Sequence, residues 1–416
     1  MLLRDGHLQA RTGPVLSRAA GATVRGVVRR DVGILAVLAI VLVGTLALII
    51  EPFEPDTTSG DYVYYRSMAF NEFVVTRPDL DRLPPGHPHL VVYRFDTWGA
   101  WYDMRNGLAH QPPFAYRLLT PALARLVEPA LGINAAFYFW TVAALMAAAF
   151  TMGLCLYRLT DALLPAAAAV VLLALDFATA RLHLVRYMLT DPIALFLTVL
   201  AVYALIRRRP VMFYVTCLIG VVNRESMVPM VVCYPISEYL LDRQLRWQTW
   251  AAALGVAGAW FALRAFWPVP VNRYSVVDEF KPTLAQTKLV ADTAVMVFGV
   301  LFIAAWRSVG RRTAASRFAR SLVPFVIATF GAAWFIGSVD RILAQAIPFF
   351  VIIVLGCWPK QPFARLLVLV PVGAYLVSQL ATTLGISNVL APVSLLVIAN
   401  EVALARAWRD ESPVIE

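Results

Sequence analysis

The sequence predicts an all-α fold: a polytopic transmembrane helical bundle of about twelve spans, with one large extracytoplasmic loop after the first. Three observations predict it. Hydrophobic residues make up 60% of the 416-residue chain and charged residues 15%, against about 45–50% and about 25% in soluble domains. Mean hydropathy is +0.69. The apolar excess recurs along the whole chain in runs long enough for membrane helices, which excludes a single anchor on a soluble domain. The same composition excludes a disordered chain and a secreted disulfide scaffold.

The first run, residues 33–50, is unbroken (GILAVLAIVLVGTLALII) and follows six arginines in residues 1–32. It reads as an uncleaved signal anchor, because it ends in Ile-Ile-Glu-Pro rather than at a small-residue cleavage site. Residues 51–132 then form the largest extramembrane segment, rich in aromatics, charges and prolines. Within it Tyr62, Tyr65, Ala69 and Phe73 recur at helical spacing, which predicts an amphipathic helix lying on the membrane surface. The bundle of residues 133–406 follows, with spans expected at 133–157, 163–180, 190–206, 210–222, 226–241, 247–267, 287–306, 321–338, 342–358, 366–386 and 389–406. The pair 210–222 and 226–241 is short for spanning helices. Residues 407–416 form a C-terminal tail.

Charge places the connections. With both termini cytoplasmic, the inner segments sum to +12 and the outer ones to −2, the bias that sets membrane orientation. The overall charge of +10 is thus a topological feature and gives no support to nucleic-acid binding. The cytoplasmic connections are short, and neither a GxGxxG after a strand nor a GxxxxGK[ST] occurs, so ATP-driven transport by this chain is not expected. The basic residues are 33 Arg and 3 Lys, a skew that points to a high-GC genome and not to chemistry.

Ionisable groups in a membrane chain are costly and usually functional. Here they gather at the expected outer helix ends, in four clusters. Asp61 stands at the start of the amphipathic helix, either as its N-cap or as a carboxylate at the mouth of a membrane cavity, with Tyr65 one turn on. Arg117 precedes Thr120-Pro121, a good helix start, and has no acidic neighbour within five positions. It either snorkels to headgroups or binds phosphate, whose oxygens a guanidinium matches in bidentate fashion. The third cluster, 181–192, holds His183 and Arg186 as anion-binding candidates. It ends in Asp191-Pro192, the pattern of an N-cap with proline at the first helical position. The fourth, Asn223-Arg224-Glu225-Ser226, is a tight turn between the two short helices, and Asp340-Arg341 makes a similar outer turn. Asp176 lies near the outer end of its span with Arg181 as the nearest partner. Lys288 and Asp292 have the spacing of a plain ion pair.

Metal chemistry finds little footing: His87 and His89 lie in a Pro/Gly-rich loop, His110 is isolated, and no HxxxH or HExxH occurs. A carboxylate-held Mg²⁺ or Mn²⁺ needs only one or two acids and stays open as a cofactor. The cysteines Cys155, Cys217, Cys233 and Cys357 lie in apolar stretches without metal spacing and read as small buried hydrophobes.

The pieces GDYVYYRSMA (60–69), PFAYRLLTPALARL (113–126), RYMLTDP (186–192), NRES (223–226) and DRILAQAIPF (340–349), in this order and on one side of the membrane, resemble the GT-C superfamily of integral membrane glycosyltransferases. The resemblance covers scattered short segments and is greatest with bacterial members. The soluble C-terminal domain of some members has no counterpart here. The resemblance implies a bacterial inner-membrane enzyme whose active site faces outward. It would invert a sugar centre in moving the sugar from a polyprenyl-phosphate donor to a glycan, lipid or protein acceptor of the envelope. It further implies Asp61 as the base and Asp191 and Glu225 as secondary acids. Arg117, Arg186, Arg224 and Arg341 become phosphate ligands, and Tyr65, His183 and Asn223 line the substrate. Two alternatives come from other classes. A secondary transporter would commonly show two related halves, and no repeat relates 1–210 to 211–416. A non-catalytic subunit binding lipid phosphate would use the same arginines.

Overall fold

A computed structural model describes residues 14–50, 117–187, 189–266, 284–310, 314–335, 339–383 and 390–409, with Pro52 and the strands β1 (Glu72–Val74) and β2 (Val92–Arg94). Apart from that antiparallel pair and short connections, the described residues are helical. Phe73, the last position of the expected amphipathic stripe, lies in β1 opposite Tyr93, so a helix through it is corrected.

The helices are α1 (Pro14–Ile49), α2 (Leu119–Leu131), α3 (Ile133–Thr160), α4 (Leu163–Leu175), a π turn (Phe177–Arg181) and the short α5 (Leu182–Val185). Next come α6 (Asp191–Ile206), α7 (Pro210–Asn223), a 3₁₀ turn (Glu225–Met227), α8 (Val228–Asp242) and α9 (Trp247–Phe266). The last are α10 (Leu284–Phe298), α11 (Leu301–Gly310), α12 (Ala314–Phe335), α13 (Val339–Ala344), α14 (Ile347–Leu355), α15 (Pro362–Thr383) and α16 (Leu390–Arg409).

α3 is the central post, packed on α1, α2, α4 and α6. Two tyrosines pin α1 antiparallel to it: Tyr138 donates to the Ala47 carbonyl at 2.6 Å and Tyr157 to the Asp31 carboxylate at 2.9 Å. At 1.5 Å per residue these pins stand about 24–28 Å apart, near the thickness of a bilayer's hydrocarbon core. Between them Leu35, Ala39 and Val43 of α1 are buried, while Val37, Ile40 and Val41 are exposed, a surface suited to lipid. Gly153 lets α3 and α4 approach closely. A Cβ there would stand 2.7 Å from Val170 Cγ2 and 3.4 Å from Leu35 Cδ2. α14 is buried at all nine positions, as its composition (IPFFVIIVL) requires.

Among the described residues, three helices are long and apolar enough to cross a membrane: Arg29–Ile49, Ile133–Thr160 and Pro362–Ala381. A bent pair, Leu163–Leu175 with Ala178–Val185, makes a fourth if counted as one span. Asp191–Ile206, Pro210–Asn223 and Leu301–Gly310 are shorter apolar helices, and α13 with α14 makes a further short apolar stretch, Arg341–Leu355. Sixteen residues of helix, as in α6, cover about 24 Å and fall short of a hydrocarbon core of about 30 Å.

Three expected spans are interrupted. The run 163–180 breaks at Asp176, whose extended backbone leaves the helix. Its carboxylate accepts the Thr179 N–H at 2.7 Å and the Tyr375 hydroxyl at 2.5 Å. Arg181, the partner expected from sequence, is exposed. The run 287–306 divides into α10 and α11 at Gly299, whose φ of 42° a side chain would strain. The run 342–358 divides between α13 and α14, and Pro348 opens α14. α1 begins well before residue 33 and runs through part of the basic N-terminal segment.

Val in place of Gly153 is expected to lower stability by about 1–3 kcal/mol, because the α3–α4 contact leaves no room for a branched side chain. Thermal unfolding in detergent checks this; an unchanged melting temperature contradicts the packing described.

Candidate functional site

Polar residues form several separate groups. One is exposed on its cationic side: Arg208 pairs with Asp242 at 2.6 Å and Arg246 with Glu238 at 3.0 Å, and both arginines are about half exposed. Another group brings together Arg117, Asp191, the Asn223–Ser226 turn and Arg341, and here Arg117, Asp191, Arg224 and Arg341 are all buried.

Asp191 opens α6 and is 0% exposed. The capping role expected for it is corrected, because the residue before α6 is Thr190 in helical backbone geometry and no side-chain cap bond forms. The carboxylate instead bridges two arginines. Oδ1 is ion-paired with Arg224 Nη1. Oδ2 accepts from Arg341 Nε at 3.2 Å and Nη2 at 2.7 Å. Arg224 can reach it because its extended backbone ends α7 and turns the chain into the 3₁₀ turn. Arg341 reaches it from α13, which packs on α10 and α12.

A second pair lies beside the first. Arg117 Nε and Nη2 donate to the two Glu225 oxygens at 3.1 and 3.2 Å, a fork matched to a carboxylate. Burial alone would raise the Glu225 carboxyl. The Arg117 charge and its hydrogen bonds, with smaller help from Arg224, outweigh burial and hold it below the ordinary glutamate range.

Neutral groups fix the frame. The Thr120 hydroxyl donates to Asn223 Oδ1 at 2.7 Å, and Asn223 Nδ2 donates to the Thr190 carbonyl at 2.8 Å. The Leu118 N–H bonds the Val222 carbonyl at 2.9 Å, locking the start of α2 to the end of α7. Ser226 Oγ donates to Gln345 Oε1 at 2.9 Å, tying the 3₁₀ turn to the segment after α13. Asn223 therefore does more than end its helix: it joins α2, α7 and the approach to α6.

Of the residues singled out in the sequence, Arg117, Asp191, Asn223, Arg224, Glu225 and Arg341 meet in this cluster. His183 is buried and its Nδ1 hydrogen-bonds the Thr179 carbonyl within the π turn, a local bond. Arg186 is exposed. Asp61 and Tyr65 lie outside the described residues. Lys288 and Asp292 are both exposed. Thr190, Ser226 and Gln345 stand in these motifs as neutral members, and no spacing in the sequence marks out a separate role for them. Tyr375 has one faint signal, a phenol following the apolar run of residues 366–374. No group of three or more His, Cys, Asp or Glu that could hold a metal occurs among the described residues. The two site carboxylates already face arginines, so they do not fit a divalent ion.

Removing Asp191 leaves two guanidinium groups buried without the carboxylate they share. Asp191→Ala is expected to destabilise by about 3–5 kcal/mol, whereas Asp242→Ala in the pair with half-exposed Arg208 costs about 0–1 kcal/mol. Thermal unfolding of both in the same detergent checks the contrast, and equal losses contradict it. For Glu225, a lowered carboxyl gives stability that is complete above its ordinary value near 4.3. That stability is lost as pH falls through the lowered value. Glu225→Gln should therefore flatten part of the acid limb of the stability curve. No protein-family model, curated protein or solved structure matches the chain.

Proposed function

We propose that the chain is an inverting glycosyltransferase of the GT-C kind, taking its sugar from a polyprenyl-phosphate donor and passing it to an envelope acceptor. The observation that carries this reading is the convergence of arginines from three separate segments, Arg117, Arg224 and Arg341, at one buried helix-end layer of an apolar bundle. Guanidinium groups on rigid elements suit a phosphate monoanion or diester, and a donor arriving through the bilayer needs no nucleotide fold. In this reading the shorter helices join the long ones in a bundle of about twelve spans. The arginine layer faces outward and both termini face the cytoplasm, by the charge distribution of the connections.

The reaction is one displacement. The acceptor oxygen forms a bond to the anomeric carbon as that carbon's bond to the phosphate oxygen breaks. The acceptor proton passes to a carboxylate, and the bonding electrons leave with the polyprenyl phosphate. Asp61 takes the proton. Asp191 and Glu225 are positioning residues in this scheme, since their oxygens already accept from arginines. Arg224, Arg341 and Arg117 hold the leaving phosphate and stabilise its growing charge. Arg186, at the surface, meets the donor headgroup as it enters.

The test is transfer by detergent-purified protein from radiolabelled polyprenyl-phosphate sugars to a membrane lipid extract. Asp61→Asn, with an unchanged melting temperature, is expected to reduce transfer about 10²–10⁴-fold. Donor binding without transfer by wild type would favour a non-catalytic lipid-phosphate subunit. One feature favours a second reading, secondary transport: the helix broken by 46° around buried Asp176 resembles the discontinuous helices of transporters. Solute uptake into liposomes that is lost in Asp176→Asn, with no sugar transfer, would establish that reading instead.

A further inference from the structure

Two buried neutral polar atoms at the arginine layer have no hydrogen-bond partner among the described residues: Thr190 Oγ1 and Gln345 Nε2. Their residues are 0% and 2% exposed. Such a group costs about 1–3 kcal/mol when left unsatisfied, and most buried polar groups in native proteins are paired. Both atoms belong to one cluster. Thr190 directly precedes Asp191, and Gln345 follows Arg341 by four residues.

Local structure does not consume either group. Threonine before a helix usually caps it, with its hydroxyl accepting an N–H of the first turn. Thr190 has φ −78° and ψ −8°, helical rather than extended, and Pro192 removes one of the N–H groups the hydroxyl would reach. Its carbonyl is held by Asn223, so the backbone is fixed while the hydroxyl is left over. Gln345 is held by one amide atom only, through Ser226. Ser226 engages the amide oxygen and leaves Nε2 over. Valine and leucine would fill these positions in an apolar bundle without the penalty.

We propose that Thr190 and Gln345 recognise the sugar of the lipid-linked donor, while the arginines beside them hold its phosphate. This rests on the glycosyl-transfer reading and names the part of the substrate that these residues read. The chemistry divides naturally. Guanidinium groups match anionic oxygens, whereas a hydroxyl and a carboxamide both donate and accept, as sugar hydroxyls do. A site with such groups also penalises a ligand lacking the matching hydroxyl, because they stay buried and unpaired.

The experiment measures binding to protein in nanodiscs of two probes: sugar-free polyprenyl phosphate, and a panel of polyprenyl-phosphate hexoses and pentoses. The variants are Thr190→Val and the double variant Ser226→Ala/Gln345→Leu, which removes both ends of one hydrogen bond. Thr190→Val is expected to keep or raise the ligand-free melting temperature and to leave the sugar-free lipid within twofold. Affinity for the preferred sugar-bearing lipid should fall roughly 2- to 12-fold per group removed. The double variant should show the same selective loss. Equal weakening for both probes, or none for either, overturns the inference while the phosphate site stands. Failure of wild type to bind either probe overturns the function reading, and this inference with it.

Discussion

The rest of the arrangement depends on a single carboxylate held between two guanidinium groups. Asp191 begins α6, Arg224 ends α7 and Arg341 lies in α13, so one ionic bridge fixes elements 33 and 150 residues apart along the chain. In an apolar surround such a bridge is a severe constraint. Each charge is expensive to desolvate, and the bridge is tolerable only with near-ideal geometry and with neutral groups completing the frame. Asn223, Thr120, Ser226 and Gln345 supply that frame. The bridge therefore acts through position. It holds three rigid helices so that their charged ends share one layer, and Arg117–Glu225 extends that layer towards α2.

The ion pairs are built to different rules. In Arg208–Asp242 and Arg246–Glu238 the arginine is half exposed and the pair is open to water. Around Asp191 the pairs are buried and interlocked, and the helices that reach it are short, broken or both. Asp176 is part of this pattern: it breaks α4 from the π turn, and Tyr375 of α15 covers its carboxylate. The π turn packs on α13, the helix of Arg341, so the break and the arginine layer are mechanically joined. Apolar helices packed on all sides, α14 above all, make the rigid support.

Much of this was legible in the sequence, for a simple reason. In a chain so apolar, any charged residue at a helix end stands out, and Arg117, Asp191, Arg224, Glu225 and Arg341 were each visible that way. Their pairings were not. Arg117–Glu225 and Arg341–Asp191 span 108 and 150 positions, and local spacing carries no information at that distance. Local inference also misassigned Asp176 to Arg181, because proximity along the chain outranked a tyrosine 199 positions away. It read Asp191-Pro192 as a cap, which the helical backbone of Thr190 defeats. Breaks within apolar runs were missed where hydropathy stays high across them, as at Gly299 and around residue 345. Thr190 and Gln345 were hidden because neutral polar residues in charged motifs draw no attention until burial shows what they lack.

The central claim is that the Asp191-anchored arginine layer receives a lipid phosphate. Phosphorus-31 NMR of polyprenyl monophosphate, titrated with the protein in nanodiscs of zwitterionic lipid, tests it most directly. The account predicts a saturable shift or broadening of the phosphate resonance. It should be lost in Arg341→Gln and in Arg224→Gln but kept in Arg208→Gln, a half-exposed position. A resonance unaffected by the protein, or an effect equal in all three variants, would contradict it.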